Sequence, residues 1–441
     1  MREKFIHIEV NIAKLNEGGD CVLNVNKCSF QRIASILILI VLVFSVSGCS
    51  NKLRSANLMD DIKAEAVSKK EVDEKFITQT ANFSVDLFQK TMKENENSLI
   101  SPLSVLLALA MTANGADSAT KDELEMLLAG GGSLDELNEY LYSYVNQLPS
   151  KDGSKLNIAN SIWFRDDKNR FTVNQDFLQK NATFYGAAAY KSPFDDATTK
   201  DINQWVKDNT DGMIDKIIDK INQDAIMYLI NAVVFDATWK SVYKKNNISS
   251  GEFTAWNGTK RNVEMMHSKE VLYIEDKNAI GFIKNYQNDN YSFVALLPND
   301  EVSIGDYISS LTGEYLLSIM KNAKVENVLA QLPKFKFDYS VKMKDALIAL
   351  GLETSFDPRS ANFSNLGNTT DGNIYIGEVL HKSFISVDEL GTKAGAVTKV
   401  EMTNGSAMMG YTVKLDRPFL FAIIDNKNKL PIFLGTVMDL N

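Results

Sequence analysis

Few residues in the 441-residue chain have types and spacings that could do chemistry unaided. Its histidines are His7, His267 and His381. There is no Gly-x-Ser-x-Gly elbow, no His-Glu-x-x-His helix and no Walker A loop. Gly130-Gly131-Gly132-Ser133 lacks the Gly-Lys-Ser/Thr that a phosphate loop needs and reads as a linker. No carboxylates or metal ligands gather at diagnostic spacing, so neither an enzyme, a metal site nor a cofactor is expected. Cys21, Cys28 and Cys49 all precede the presumed folded body, which therefore has no disulfide. One stretch stands apart. Residues 389–410, ELGTKAGAVTKVEMTNGSAMMG, have no aromatic residue and no Pro, and lie between two strand-like runs. Compact domains rarely hold about 20 unstructured residues without a functional reason.

The elements that must present this stretch can be read from hydrophobic period. Phe76, Ile77, Thr80, Phe83, Leu87 and Phe88 recur at helical spacing. Pro102 opens an apolar helix through Ala113, which Gly115 ends. Thr120 starts another helix, and residues 202–221 read as helix and then turn. Residues 156–164 and 225–235 read as strands. Further strand-like runs are 291–297, 325–332, 374–376, 383–387, 411–415 and 419–425. Helices come first and strands later, without βαβ alternation, which predicts a single α+β domain.

The N-terminus reads as an export segment. Ile36–Phe44 is an unbroken apolar run, preceded by Lys27 and Arg32 and followed by Ser45-Val-Ser-Gly-Cys49. It is short for a membrane span and fits a signal peptide over 1–48, with a start assigned too far upstream as one explanation of its length. Val46–Cys49 resembles the lipobox of bacterial lipoproteins, with Cys49 as the lipidated residue; plain cleavage at small residues is the alternative. The polar segment 49–72 reads as a tether or weak helix. Net charge is -9; five basic and four acidic groups in residues 1–49 leave about -10 for the remainder, which argues against a nucleic-acid partner.

Seven segments in order resemble the serpin family: residues 97–124, 202–214, 229–239, 325–338, 347–366, 379–396 and 415–423. The resemblance implies a serpin domain over 73–441, with three β-sheets, about nine helices and a reactive loop over about 389–410. It implies a monomer whose loop is cut by a serine protease, or a cysteine protease, and then inserts into the main sheet before hydrolysis finishes. It assigns a hinge to Glu389, Gly391, Thr392, Lys393, Ala394, Gly395 and Ala396. It assigns a polar "shutter" under the sheet to Ser101, Ser104, Asn231 and His381, and a "breach" at the loop's entry to Trp239 and Glu389. A histidine or tryptophan in those places is also an ordinary core residue. No polyanion cofactor is expected, because the helix-like run 134–148 carries acids and no Lys or Arg.

The loop's own residues fit insertion. Thr392, Ala394, Ala396, Thr398, Val400 and Met402 form a small or apolar set, and every charge falls on the alternate set with Lys393, Lys399 and Glu401. At period two, one face is then free of charge and the other is expected in water. A flexible loop that happens to alternate is the plain alternative. The family often carries an acid where Lys393 stands, and Gly395 weakens a strand. The scissile bond is bracketed within Asn404, Gly405, Ser406, Ala407, Met408 and Met409. No Lys or Arg lies between Lys399 and Lys414, which favours elastase-, subtilisin- or chymotrypsin-like proteases. A non-inhibitory carrier or surface-binding protein of the same fold is the second reading.

Overall fold

The computed structural model describes residues 53–150, 153–166, 171–222, 225–370, 372–392 and 410–440. Among these there are nine α-helices and three sheets, a mixed α+β architecture. The sheet that matters for function has seven strands. Their order is Ala56–Asn57, Ala188–Ser192, Ser154–Arg165, Met227–Thr238, Gly391–Thr392, Glu378–Val387 and Phe335–Lys342. A nine-stranded sheet contains Tyr411–Lys414 at one edge and a two-stranded ribbon completes the set.

At its central strand the main sheet is buried on both faces, which is why Met227–Thr238 reads as a nearly continuous apolar run. Leu229, Val233, Phe235 and Ala237 enter the large core. Tyr228, Ile230 and Ala232 enter a smaller cluster with Ile202, Trp205 and Val206 of the helix Asp196–Asn209. That helix starts at a capping box in which Asp195 and Thr198 satisfy each other's backbone donors. Beneath the large-core face runs Pro102–Ala113, every residue of which is buried. A helix apolar all round belongs in a core, and its start follows Pro at the first turn.

Two expectations are corrected. Residues 374–376 are not a strand: Ile374 and Ile376 are apolar because they are buried, while Ile376 N–H donates to the Ser355 carbonyl at 3.0 Å outside any ladder. Nor is the segment from Leu53 to Val72 a free tether. Ala56 and Asn57 pair with Lys191 and Tyr190 at the edge of the main sheet. Leu58, Met59, Ile62 and Val72 pack on the core, and Glu65 N–H donates to Thr183 Oγ1 at 3.1 Å. The segment's few apolar residues lack a helical period because they follow a surface path over several elements rather than one helix face. Its firmest point is Asp201, whose carboxylate accepts from Ser55 N–H at 2.6 Å and Ser55 Oγ at 2.7 Å. Asp201→Ala leaves a buried donor unpaired and is expected to cost about 1–3 kcal/mol, read as a lower Tm together with faster proteolysis between residues 53 and 73.

Candidate functional site

The strands Met227–Thr238 and Glu378–Val387 run parallel and pair directly over part of their length, from Tyr228 with Glu378 to Val233 with Ser383. Beyond that they diverge. In the opening sits Gly391–Thr392, antiparallel to both: Gly391 is opposite Thr238, and Thr392 is opposite Ala237 on one side and Val387 on the other. The sheet is therefore zipped at one end and already parted at the other by two residues.

Each seated residue has a physical reason. A Cβ on Gly391 would lie 2.0 Å from the Ala237 carbonyl oxygen, so glycine alone permits this approach. Thr392 is 1% exposed, and its hydroxyl shares a 2.5 Å hydrogen bond with Tyr286 Oη. The turn leading in is held by Asp388, whose carboxylate accepts from Leu390 N–H at 2.8 Å and Gly391 N–H at 3.2 Å.

Trp239 closes the entry from below. Its ring stacks on Tyr286 with centroids 4.5 Å apart, and its Nε1–H donates to the Asp388 carbonyl at 2.9 Å. Glu389 does not touch Trp239 through its carboxylate. Its backbone carbonyl accepts from Tyr243 N–H at 2.9 Å, and its carboxylate pairs with Lys334 Nζ at 2.8 Å. The Lys334 hydrogen bond holds the Glu389 carboxyl below its ordinary range. Lys284 is buried in the same layer, paired with Glu270 at 2.8 Å and lying over the rings of Tyr243 and Trp239.

The four polar residues expected beneath the sheet come together where the two strands pair directly. His381 and Asn231 are partners in that register, and His381 Nδ1 bonds Asn231 Oδ1. Ser101 N–H and Ser383 Oγ–H both donate to His381 Nε2, at 3.1 Å and 2.7 Å, which assigns the proton to Nδ1. The Asn231 amide donates to the Ser104 carbonyl at 2.7 Å and to Asn160 Oδ1. Ser101 thus contributes its backbone, while its own buried hydroxyl has no partner. Ser383 and Asn160 were missed from sequence. The signal for Asn160 was present: an amide inside the strand-like run 156–164, directly across from Asn231 in the antiparallel register.

Burial pushes the His381 imidazole down to about 3. The unfolded chain binds that proton below about 6.5, and the native chain does not until about 3. Stability is therefore unaffected above pH 6.5 and falls as pH drops from 6.5 toward 3. Between pH 6.5 and 5 the loss from this one group is about 2 kcal/mol. Urea midpoints for the wild-type chain and His381→Gln should converge over that interval as the wild type loses its advantage.

His267 lies apart, partly exposed, 2.8 Å from Ser249 Oγ. Among the described residues, no three His, Cys, Asp or Glu side chains are grouped to hold a metal ion. Lys393, Ala394, Gly395, Ala396, the bracket Asn404 to Met409, and Cys49 lie outside the described residues.

A family model described as Serpin (serine protease inhibitor) matches residues 78–440. The chain is a serpin. A crystal structure of the thermophilic serpin tengpin in its native state is 53% identical and superposes with a TM-score of 0.85, covering 88% of this chain and 100% of that one. The same relative in its latent state gives 0.76, covering 85% and 100%. Human neuroserpin is 29% identical over 376 residues, 81% of this chain and 90% of that protein. The greater likeness to a native serpin than to a latent one agrees with a sheet entered by Gly391–Thr392 alone and paired directly below them.

Proposed function

We propose that this serpin inhibits serine endopeptidases as a suicide substrate. The observation that carries the reading is the seat of Gly391–Thr392 between two strands that are otherwise paired with each other. A cut within Asn404–Met409 frees the chain on the N-terminal side to continue into that seat, carrying the acylated protease with it. Continuing the register sets Thr398 between Asn231 and His381, the pair that must separate for a strand to enter. The same continuation changes the fate of the charges. Lys393 falls beside Asp236 and Ser386, but Lys399 falls beside Ile230 and Leu380, which are buried under the helix Asp196–Asn209 rather than in water. That helix must shift, or the Lys399 ammonium must reach past it to solvent, for insertion to pass this point.

A lever of about 15 residues would move the attached protease on the order of 50 Å at about 3.3 Å per residue. The residues available for the cut, Gly405, Ala407 or Met408, suit elastase-, subtilisin- or chymotrypsin-like pockets. Incubation with those three enzymes is expected to give a band at the summed mass that survives denaturing electrophoresis. Mass spectrometry of the released C-terminal fragment then fixes the bond. Clean cleavage by all three without that band favours the carrier reading. The segment Val46–Cys49 supports export and a lipid anchor at the outer face of a bacterial membrane, with secretion as the outcome if the mature N-terminal peptide carries no acyl mass. Among the described residues, no helix is long and apolar enough to cross a membrane.

A further inference from the structure

A pocket of about 320 Å³ lies where residues 147–149, just after the helix Leu134–Val145, meet two turns of the nine-stranded sheet. One turn holds Asp289 and Asn290, before the strand Tyr291–Pro298. The other, residues 425–428, leads from the strand Phe419–Asp425 toward Pro431–Val437. Tyr144 lines the buried end. It is 1% exposed, its ring is held against Phe76, and its hydroxyl has no hydrogen-bond partner. Burial, with the Asp425 carboxylate nearby, holds this phenol well above its ordinary range, so it keeps its proton and is a donor without an acceptor. A buried donor in that condition costs free energy until something accepts from it. Asp425 does not, because its carboxylate is taken by Lys427 N–H at 3.0 Å, Asn428 N–H at 3.0 Å and Asn428 Nδ2–H at 2.9 Å.

The rest of the lining is mostly polar, and its charges are committed. Asp289 pairs with Lys240, and Lys427 Nζ donates to Gln147 Oε1 at 2.8 Å. What is left over is a set of neutral groups of both kinds. Gln147 keeps its Nε2 donors and Asn428 its Oδ1 acceptor. Asn290 is engaged through its backbone carbonyl, which accepts from Asn426 N–H at 3.0 Å, and its side-chain amide is unspent. Leu148 and Pro149 add an apolar wall. A hydroxyl both donates and accepts, so hydroxyls set around a ring match amide donors and acceptors together, while the ring's C–H face matches the apolar wall. An anion would meet two carboxylates, and a cation would meet Lys427 with both carboxylates already taken. We propose that this pocket binds a neutral sugar ring, with Tyr144 donating to one of its oxygens. The site stands apart from the hinge and does not rest on the inhibitory reading.

The test uses the full-length chain and three neutral probes, methyl α-glucoside, methyl β-galactoside and N-acetylglucosamine, followed by saturation-transfer NMR. Saturable binding of at least one probe is expected, weakened at least tenfold in Tyr144→Phe by the loss of one buried hydrogen bond. Glucuronate and glucosamine, rings of the same size with a negative or a positive charge, should bind at least tenfold more weakly than that probe. Without sugar, Tyr144→Phe should melt no lower than the wild type, since the hydroxyl has no partner to lose. A structural water on that hydroxyl gives the opposite pair, a lower Tm with unchanged sugar binding, and overturns the site. So does a lack of saturable binding by all three probes, or equal binding by the charged analogues. Should Tyr144→Phe differ from the wild type by circular dichroism, the half-buried Asn290 supplies the second variant: Asn290→Leu is expected to show the same tenfold loss, and wild-type binding by it overturns the proposal.

Discussion

On the inhibitory reading, Thr392→Arg is expected to turn a protease trap into a mere substrate. The wild-type hydroxyl sits 1% exposed between Ala237 and Val387, bonded to Tyr286. A guanidinium placed there meets Tyr286 and no acidic partner among the described contacts of Thr392. Burying an unpaired charge costs several kcal/mol. The fold itself need not bear that cost, because the hinge can be expelled and the strands Met227–Thr238 and Glu378–Val387 already pair below it. Insertion cannot avoid it, since Thr392 leads the entering strand. Each 1.4 kcal/mol is about tenfold in rate, so insertion should slow by at least about a hundredfold. Hydrolysis of the acyl-enzyme then wins. Cleavage within residues 404–409 continues at an unchanged rate, and the denaturant-resistant band falls below about a tenth of wild type. Thr392→Ser, which keeps the hydroxyl, should retain most of the band. Trapping by Thr392→Arg equal to wild type would remove the hinge from the mechanism.

Much of the fold was legible because the controlling signals are periodic. The helix at Pro102–Ala113 and the strands at Met227–Thr238, Tyr291–Pro298 and Phe419–Asp425 are long apolar runs with clear ends. Residues 374–376 misled because burial and strand pairing leave the same mark on three residues; the Ile376 hydrogen bond to Ser355 shows which it is. The wrap from Leu53 to Val72 left no mark, since Ala56–Asn57 is a two-residue strand and Ser55 to Asp201 is a contact across 146 positions.

The site divides in the same way. Ser101, Ser104, Asn231 and His381 were legible as one cluster through the family resemblance, but not in how they bond. That Ser101 offers its backbone rather than its hydroxyl, and that Asn160 and Ser383 complete the network, follow from register alone. Glu389 was expected at the entry, yet its partner Lys334 has no local signal, because the two meet only where the strand ending at Pro333 passes the turn after Val387. The alternation of the loop gives an expectation for the inward face, which beyond Thr392 lies outside the described residues. It could not show that the outward face at Ile230 and Leu380 is roofed by a helix.

Nicking the loop is expected to raise thermal stability strongly. In the described state the parallel pairing of Tyr228–Val233 with Glu378–Ser383 is a single ladder, and the hinge adds two residues to it. An inserted strand replaces that one ladder with two, both antiparallel, and each new residue places its donor and acceptor on neighbours at either side. A dozen or more added hydrogen bonds, at about 0.5–1.5 kcal/mol net each, amount to on the order of 10 kcal/mol. That rivals a whole domain's stability of roughly 5–15 kcal/mol, so on the inhibitory reading the intact chain is metastable with respect to insertion. With an unfolding entropy of about 2.1 cal/mol/K per residue, a body of this size should melt on the order of 10 °C higher after nicking. Part of the gain is spent if Lys399 must be accommodated beside Ile230 and Leu380. Lys399→Ala should therefore raise the nicked form's Tm further while leaving the intact form's unchanged. Calorimetry of the four samples, intact and nicked for each sequence, separates the two effects. A nicked wild type that melts with the intact one would show that the severed strand stays outside, and that nothing is stored in the closed sheet for a protease to release.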